Sequence, residues 1–408
     1  MFNIIEFTRE FGDYLGYIFP NVPANILRYI EYLPLFIIGF AIALILTPLL
    51  GKLAYKLGIT YKPKEQKRGR EFDNPDKAVH DVETPSLGGI TVSIPILLFI
   101  LFVFGINSTT IPILLGLIII IVLSIADDIL VLPSYPQLVG VLLAASVIAI
   151  SSIDLTFINI PFITTLNLDL YTFKGAIGDL LISIVFPGDL ILIAWISVCV
   201  ITLKVVGGSP GLVESNSFIA YLLIFVISIR VMNELVIFSS IFTAGLILGL
   251  LVFAFPPQKI FSGSSGKLFY GFLIAVFAIL NSSKFASTLL ILLLPIIDFS
   301  IVVIKRMIKT RDINIIRIMR INGREHFHHH LLALGLDPKT ILLIETSIAI
   351  IMASIAVLTT GAVVFFIVLI ISLVMIIGIL VLGNIANIQL KKKSQEIDSQ
   401  SPESKYSY

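Results

Sequence analysis

The chain has 408 residues, of which 57% are hydrophobic and 13% charged, with a formal net charge of +2 and one cysteine. A soluble domain carries about a quarter charged residues, so the composition excludes a soluble enzyme and identifies an all-α polytopic membrane protein. A lone cysteine, Cys199, excludes an internal disulfide and a cysteine-based zinc site; within its apolar run it reads as a small buried hydrophobe.

From the N-terminus, MFNIIEFTREFGDYLGYIF lacks the basic start and small-residue cleavage site of a signal peptide and reads as a partly amphipathic lead-in. Apolar segments able to cross a ~30 Å hydrocarbon core then recur. They cover 33–50, 88–106, 109–126, 137–153, 189–206, 217–230, 234–255, 268–282, 286–304, 340–358 and 361–383, so ten to eleven transmembrane helices are predicted. Between the fourth and fifth, residues 154–188 alternate apolar and polar side chains and are rich in Thr, Ile and Phe, the pattern of an external β-hairpin.

The loops sort by charge. The 51–87 loop holds Lys52, Lys56, Lys62, Lys64, Lys67, Arg68, Arg70 and Lys77, and the 305–339 loop holds Lys305, Arg306, Lys309, Arg311, Arg317, Arg320, Arg324 and Lys339. The alternate loops near 107, 231, 283 and 359 are short and nearly uncharged, and 154–188 has Lys174 as its one basic residue. The positive-inside rule therefore places the N-terminus outside and the Lys391-Lys392-Lys393 end in the cytoplasm. Residues 1–390 read as a single membrane domain of the plasma membrane, and 391–408 as a disordered cytoplasmic tail.

This topology puts the polar chemistry on one face. Asp127 and Asp128 end the third span; KVVGGSPGL (204–212) and KIFSGSSGK (259–267) follow the fifth and seventh; His80, His326, His328, His329 and His330 lie in the two basic loops. Adjacent acids at a membrane boundary repel one another and invite a cation, and Mg²⁺ suits one or two carboxylates plus phosphate oxygens. Such a boundary carboxylate is expected to be dispensable for folding. Asp298, alone in an apolar span, is either a helix-to-helix contact or a carboxylate turned into the same cleft. A helix starting near Arg324 would align His326, His329 and His330 and turn His328 away. The imidazoles would hold a metal or donate to phosphate oxygens, and without cysteine or an H-E-x-x-H pattern the second use is favoured. The glycines permit close backbone approach to a ligand, but glycine also simply makes turns.

In this order the motifs KAVHDVETPSLGGI (77–90), ADDILVL (126–132), VVGGSPGLVESNS (205–217), KIFSGSSGKLFYGF (259–272), and PIID followed by REHFHHHLL resemble those of the polyprenyl-phosphate N-acetylhexosamine-1-phosphate transferases, over roughly residues 33 to 383. The resemblance implies transfer of a sugar 1-phosphate from a UDP-sugar to a polyprenyl phosphate, with release of UMP and a requirement for Mg²⁺. It implies Asp127, Asp128 and Asp298 as catalytic, with Asp127 and Asp128 also at the metal. Lys77, His80, Lys204, Gly208, Gly211, Gly263, Arg324, His326, His328 and His329 would bind substrate. No nucleic-acid partner is expected, and a homodimer is open to such a protein. The chain departs from the family where Lys204, Gly207 and Pro210 replace an Asn or Asp series, where Ser264 replaces a metal-ligating Asp, and where Gln137 replaces a usual lysine. Two functions stay open: a transferase, in which Lys204 supplies part of the metal's charge, or a non-catalytic relative that binds the same ligands or serves an active transferase as a subunit.

Overall fold

A computed structural model describes residues 4–61, 83–160, 164–178, 180–281, 292–314, 325–359 and 362–400, with the short pieces 65–67, 70–71, 289–290, 317–318 and 321 between them. The amphipathic lead-in forms α1 (Ile4–Ile18) and is followed by the short α2 (Ala24–Ile30). Then come α3 (Leu33–Lys56), strands β1 (Thr60–Tyr61), β2 (Glu65–Lys67), β3 (Arg70–Glu71) and β4 (Thr84–Pro85), and helices α4 (Ile90–Phe104), α5 (Thr110–Leu130) and α6 (Ser134–Ala149). Four strands follow, β5 (Phe157–Ile160), β6 (Thr164–Asn167), β7 (Asp169–Ile177) and β8 (Leu180–Pro187). The rest is helical: α7 (Gly188–Val206), α8 (Leu212–Val231), α9 (Glu234–Ala254), α10 (Gly263–Leu280), α11 (Leu293–Thr310), α12 (Phe327–Ala333), α13 (Pro338–Leu358) and α14 (Ala362–Gln400).

Each of the eleven apolar segments thus coincides with a helix. Eight of these, α2–α3 together, α5, α7 to α10, α13 and α14, are long and apolar enough to cross a membrane. Helices α4 and α6 are apolar but shorter. Helix α11 has the length but carries Asp298, Lys305, Arg306 and Lys309. The chain is an all-α multi-pass membrane protein.

Helices α8, α9 and α10 form the interior, with α3 laid along α9 and with α5 and α7 against α10. Backbone approach decides the tightest of these contacts. Gly245 and Gly249 on α9 face the carbonyls of Phe36 and Phe40 on α3, and Gly39 on α3 faces that of Phe242. A side chain at any of the three would enter the opposite backbone, so the small residues set the helix separation in a setting where close packing, not water exclusion, drives association.

Residues 154–188 form two hairpins, where one was expected. β5 pairs with β6 and β7 with β8, both antiparallel. The division falls at Leu168, buried between exposed neighbours, whose N–H donates to the Thr156 carbonyl and whose carbonyl accepts the Gly188 N–H. One buried residue ties the two ribbons to the start of α7. The last helix also differs from expectation, because α14 continues through the basic run to Gln400. Lys, Gln and Glu are good helix formers and extend a helix already nucleated in the apolar segment. Residues 401–408 lie outside the described set.

Candidate functional site

The polar centre is built where α5 ends and α10 begins. Asp127 and Asp128 occupy the last turn of α5 and are 1% and 6% exposed. Oδ1 of Asp127 accepts from Gln137 Nε2 at 2.7 Å, and its Oδ2 accepts from Lys204 Nζ at 3.0 Å and from the Ser264 hydroxyl. Gln137, on α6, also takes a hydrogen bond from Lys204 and gives one to the Leu132 carbonyl, so the lysine at the end of α7 is held from two sides.

Asp128 is held differently. Its Oδ1 accepts the Ser264 N–H at 2.7 Å and its Oδ2 the Ser265 N–H at 3.0 Å. These are first-turn amides of α10, which have no partner inside the helix, and the positive end of the helix dipole favours an anion there. Gly263 makes this possible: its φ is +67°, and a Cβ on it would strike the Asp128 carboxylate and the Ser86 carbonyl. The SGSSG amides that suggested a phosphate cradle are directed at the protein's own carboxylate.

Two further contacts hold this loop. The TPSLGG stretch docks on it, with Gly88 and Gly89 N–H groups donating to the Phe261 and Ser262 carbonyls at 2.9 Å and Phe261 N–H donating to the Pro85 carbonyl at 2.8 Å. The Ser262 hydroxyl donates to Glu214, a buried acid on α8. Tyr61, on β1, faces the acid pair, and burial together with the charges of Asp128 and Asp127 pushes its phenol upward from the ordinary range.

The histidine stretch lies across the other glycine loop. Lys267, one turn into α10, donates to the Gly207 carbonyl at 2.6 Å, and the next residue, Gly208, faces His328, where an added Cβ would come within 3.1 Å of Nε2. His326, His328 and His329 cluster, with ring centroids 4.1 to 6.3 Å apart. The expected register is corrected here. The helix starts at Phe327, with His326 extended at its N-cap, so His328 joins the cluster and His330 turns toward Gly383 on α14.

Among the described residues, both nitrogens of His328 are buried without a hydrogen-bond partner. Burial first, then the neighbouring His329, His326, His330 and Lys267, hold its imidazole well below the ordinary histidine range. Burial and then Lys305 lower His330 as well, with Asp298 opposing. His328 and His330 are therefore held toward the neutral form. Asp298 stands behind it, accepting from His326 Nδ1 and from the Phe327 N–H, each at 2.8 Å. Of the two readings open for Asp298, these contacts show a carboxylate turned toward the histidine stretch, where it orients the His326 ring. The tautomer this fixes leaves His326 Nε2 as the acceptor unless the ring is protonated.

Of the candidate residues, Asp127, Asp128, Lys204 and Gly263 meet at the first centre and Gly208, His326, His328 and His329 at the second. Gly211, with φ +72°, starts α8. Lys77, His80 and Arg324 lie outside the described residues. Gln137 enters as the bracket of Lys204, and Tyr61, Ser262 and Ser265 enter without having been singled out.

The sequence profile of glycosyl transferase family 4 matches residues 110–282, from α5 through α10, a stretch that contains the acid pair, Lys204 and both glycine loops. Over that stretch the chain is similar to glycosyl transferase family 4. It is also 27% identical over 325 residues to a probable undecaprenyl-phosphate N-acetylglucosaminyl 1-phosphate transferase of Bacillus subtilis (strain 168), a match covering 78% of this chain and 82% of the relative.

For the magnesium ion that the resemblance implies, the donor set here is a poor fit. Mg²⁺ demands near-octahedral oxygen ligands and keeps its charge balanced by carboxylates. All four carboxylate oxygens of Asp127 and Asp128 already accept hydrogen bonds, one of them from an ammonium. Among the described residues no three histidine, cysteine or acidic side chains form a metal-binding group. Asp127 and Asp128 as they stand do not form a magnesium site.

A cleft of about 200 Å³ opens beside this centre, lined by Ser134, Gln137, Leu138, Val141, Ile201, Lys204, Val205 and Leu268. Most of these side chains are apolar, and two of the polar ones, Gln137 and Lys204, grip Asp127.

Proposed function

We propose that this protein transfers N-acetylhexosamine 1-phosphate from a UDP-sugar to a polyprenyl phosphate, releasing UMP, at the cytoplasmic face of the plasma membrane. The family similarity and the Bacillus relative support a sugar-phosphate transferase. The observation that carries the finer reading is the placement of Lys204: its ammonium sits at the polar end of an apolar cleft and 3.0 Å from a buried carboxylate. An isoprenoid chain suits the apolar walls, and its phosphate would meet the ammonium.

The chemistry needs little covalent help. An oxygen of the acceptor phosphate attacks the β-phosphorus of the UDP-sugar, the bond from that phosphorus to the bridging oxygen breaks, and UMP leaves with the electron pair. The protein has to align two anions and offset the charge that moves onto UMP. Lys204 faces the acceptor side. The histidine cluster, with Lys267 beside it, faces the diphosphate side, and a protonated imidazole there is the stronger donor.

Purified protein given UDP-GlcNAc and a polyprenyl phosphate should release UMP and form the lipid-linked pyrophosphate sugar. No UMP from any UDP-HexNAc, with or without divalent cation, would overturn the transferase reading in favour of a non-catalytic relative. Sidedness has its own test: in a Cys199-free protein, single cysteines at Gly69 and Asn107 should label from opposite faces of the membrane.

A further inference from the structure

We infer that the Lys204 ammonium is the resident cation of the transfer centre, and that transfer proceeds without a divalent ion bound by the protein. The inference rests on the transferase reading and goes beyond it, because it assigns to one side chain the role that a metal would otherwise fill.

Three observations lead there. Lys204 lies between Asp127, whose side chain is fully buried, and the cleft, to which its own side chain is 23% exposed. A cation meant only to neutralise Asp127 gains nothing from facing the cleft, whereas one meant to meet a phosphate has to. The ammonium is also held on its protein side, by Asp127 at 3.0 Å and by Gln137, and Gln137 is fixed in turn by the Leu132 carbonyl. A flexible lysine is thereby turned into a preorganised charge, and preorganisation is what makes a fixed charge effective on a phosphoryl group.

The third observation is the state of the carboxylates. A divalent ion at Asp127 Oδ2 would have to displace Lys204 or Ser264, and one at Asp128 would compete with the first-turn amides of α10 for the same carboxylate. An ion placed beside Asp127 without that displacement would stand next to an ammonium and be repelled. The serine hydroxyl at position 264 donates to Asp127 instead of offering a lone pair outward. The centre is a closed lattice of donors and acceptors whose one outward-facing charge is the lysine.

In the transfer step, the Lys204 ammonium would donate to a non-bridging oxygen of the acceptor phosphate, with its charge close to the phosphorus under attack. It lowers the repulsion between the two anions while the new oxygen–phosphorus bond forms and the old one breaks. No proton leaves the lysine, and it stays a cation throughout.

The experiment uses wild type and Lys204→Asn, purified in detergent, and measures UMP release in EDTA and in millimolar Mg²⁺. Binding of free Mn²⁺ to each protein, without nucleotide, is followed by electron paramagnetic resonance. Wild type should turn over equally in both conditions and leave Mn²⁺ free. Lys204→Asn should lose turnover in EDTA by about 10²-fold or more, and should take up Mn²⁺ at the acids that the lysine no longer neutralises. Gain of Mn²⁺ binding cannot come from a misfolded protein if Mg²⁺ competes for the same sites and circular dichroism is unchanged. Wild-type UMP release abolished by EDTA and restored by Mg²⁺ would overturn the inference while sustaining the transferase reading. If no condition yields UMP, the transferase reading falls and the Mn²⁺ titration still decides: uptake only by Lys204→Asn supports the cation assignment, and uptake by wild type, or by neither protein, overturns it.

Discussion

The acid pair and the histidine cluster are satisfied to opposite degrees. At the acid pair every carboxylate oxygen has a donor, and those donors come from α6, α7 and α10. At the cluster, His328 is buried to 1% exposure with neither nitrogen partnered among the described residues. A buried polar group without a partner costs about 1–3 kcal/mol, and a site that keeps one is shaped for something not yet bound. The first region is therefore finished by folding, and in the proposed function the second is finished by the nucleotide-sugar. Substitutions should separate the two, costing stability and turnover together at the acid pair and affinity alone at the histidines.

The largest effect is expected at Asp128. Asp128→Asn removes the charge from a carboxylate that accepts two amides at a helix N-terminus and turns one acceptor into a donor aimed at an N–H. Hydrogen bonds to charged groups contribute about 1.5–3 kcal/mol each, so stability should fall by about 3 kcal/mol, together with a loss of turnover of several orders of magnitude. Thermal melting in detergent with a parallel UMP assay checks both. An unchanged melting temperature would mean that the α5–α10 junction holds without the carboxylate, as its place at a hydrophobic boundary had suggested.

His328→Leu should do the reverse. An apolar side chain of similar size removes an unsatisfied imidazole, so melting should stay the same or rise. Binding of UDP-GlcNAc, followed by calorimetry, should weaken by about 1.5–3 kcal/mol, the range for a hydrogen bond to a charged group. A variant that binds as tightly as wild type would remove His328 from the ligand surface.

How much of this contrast the sequence carries depends on distance along the chain. Hydropathy is local, and so every apolar segment could be located, while the pattern of alternation marked the strands. The acid pair and the histidine run were visible because each is contiguous. Their partners were not. Asp128 and Ser264 are 136 residues apart, and no local pattern reveals that the SGSSG amides turn inward to a carboxylate instead of outward to phosphate. The histidine register failed for a smaller reason: the helix begins at Phe327, not near Arg324, so His326 is an extended N-cap and helical spacing does not relate its ring to those of His329 and His330. Tyr61 stayed hidden because a lone tyrosine on a two-residue strand carries no signal until the fold brings it beside Asp128.

The same contrast has a pH signature. The folded-state pKa values of His328 and His330 lie below the unfolded value, so between them the unfolded chain binds more protons. Stability from these groups is complete above about pH 6.5 and is lost as pH falls below it, by up to about 1.4 kcal/mol per pH unit for each group. A bound phosphate raises an imidazole's pKa, so ligand affinity should rise over the same interval. Melting temperature and affinity should therefore move in opposite directions between pH 7.5 and 5.5. His328→Leu should flatten the affinity trend and reduce the stability slope to the part that His330 contributes; slopes unchanged from wild type would mean that other groups are titrating.

The smallest expected effect tests how the cluster is aimed. Arg306 on α11 holds Glu325 at 2.6 Å, immediately before His326, while Asp298 on the same helix holds His326 itself. The pair thus fixes the approach of the chain to α12 without touching the cluster. Glu325 is one-third exposed, so solvent screens the pair and its contribution should not exceed about 1 kcal/mol. Glu325→Gln keeps the shape and one acceptor oxygen, and should weaken UDP-GlcNAc binding by a factor of about two to five. Because it leaves His328 and His330 in place, the pH at which affinity rises should not move. A shift in that pH would show that Glu325 acts on the imidazoles through its charge. Loss of affinity as large as that of His328→Leu would show that it belongs to the ligand surface and not to the support behind it.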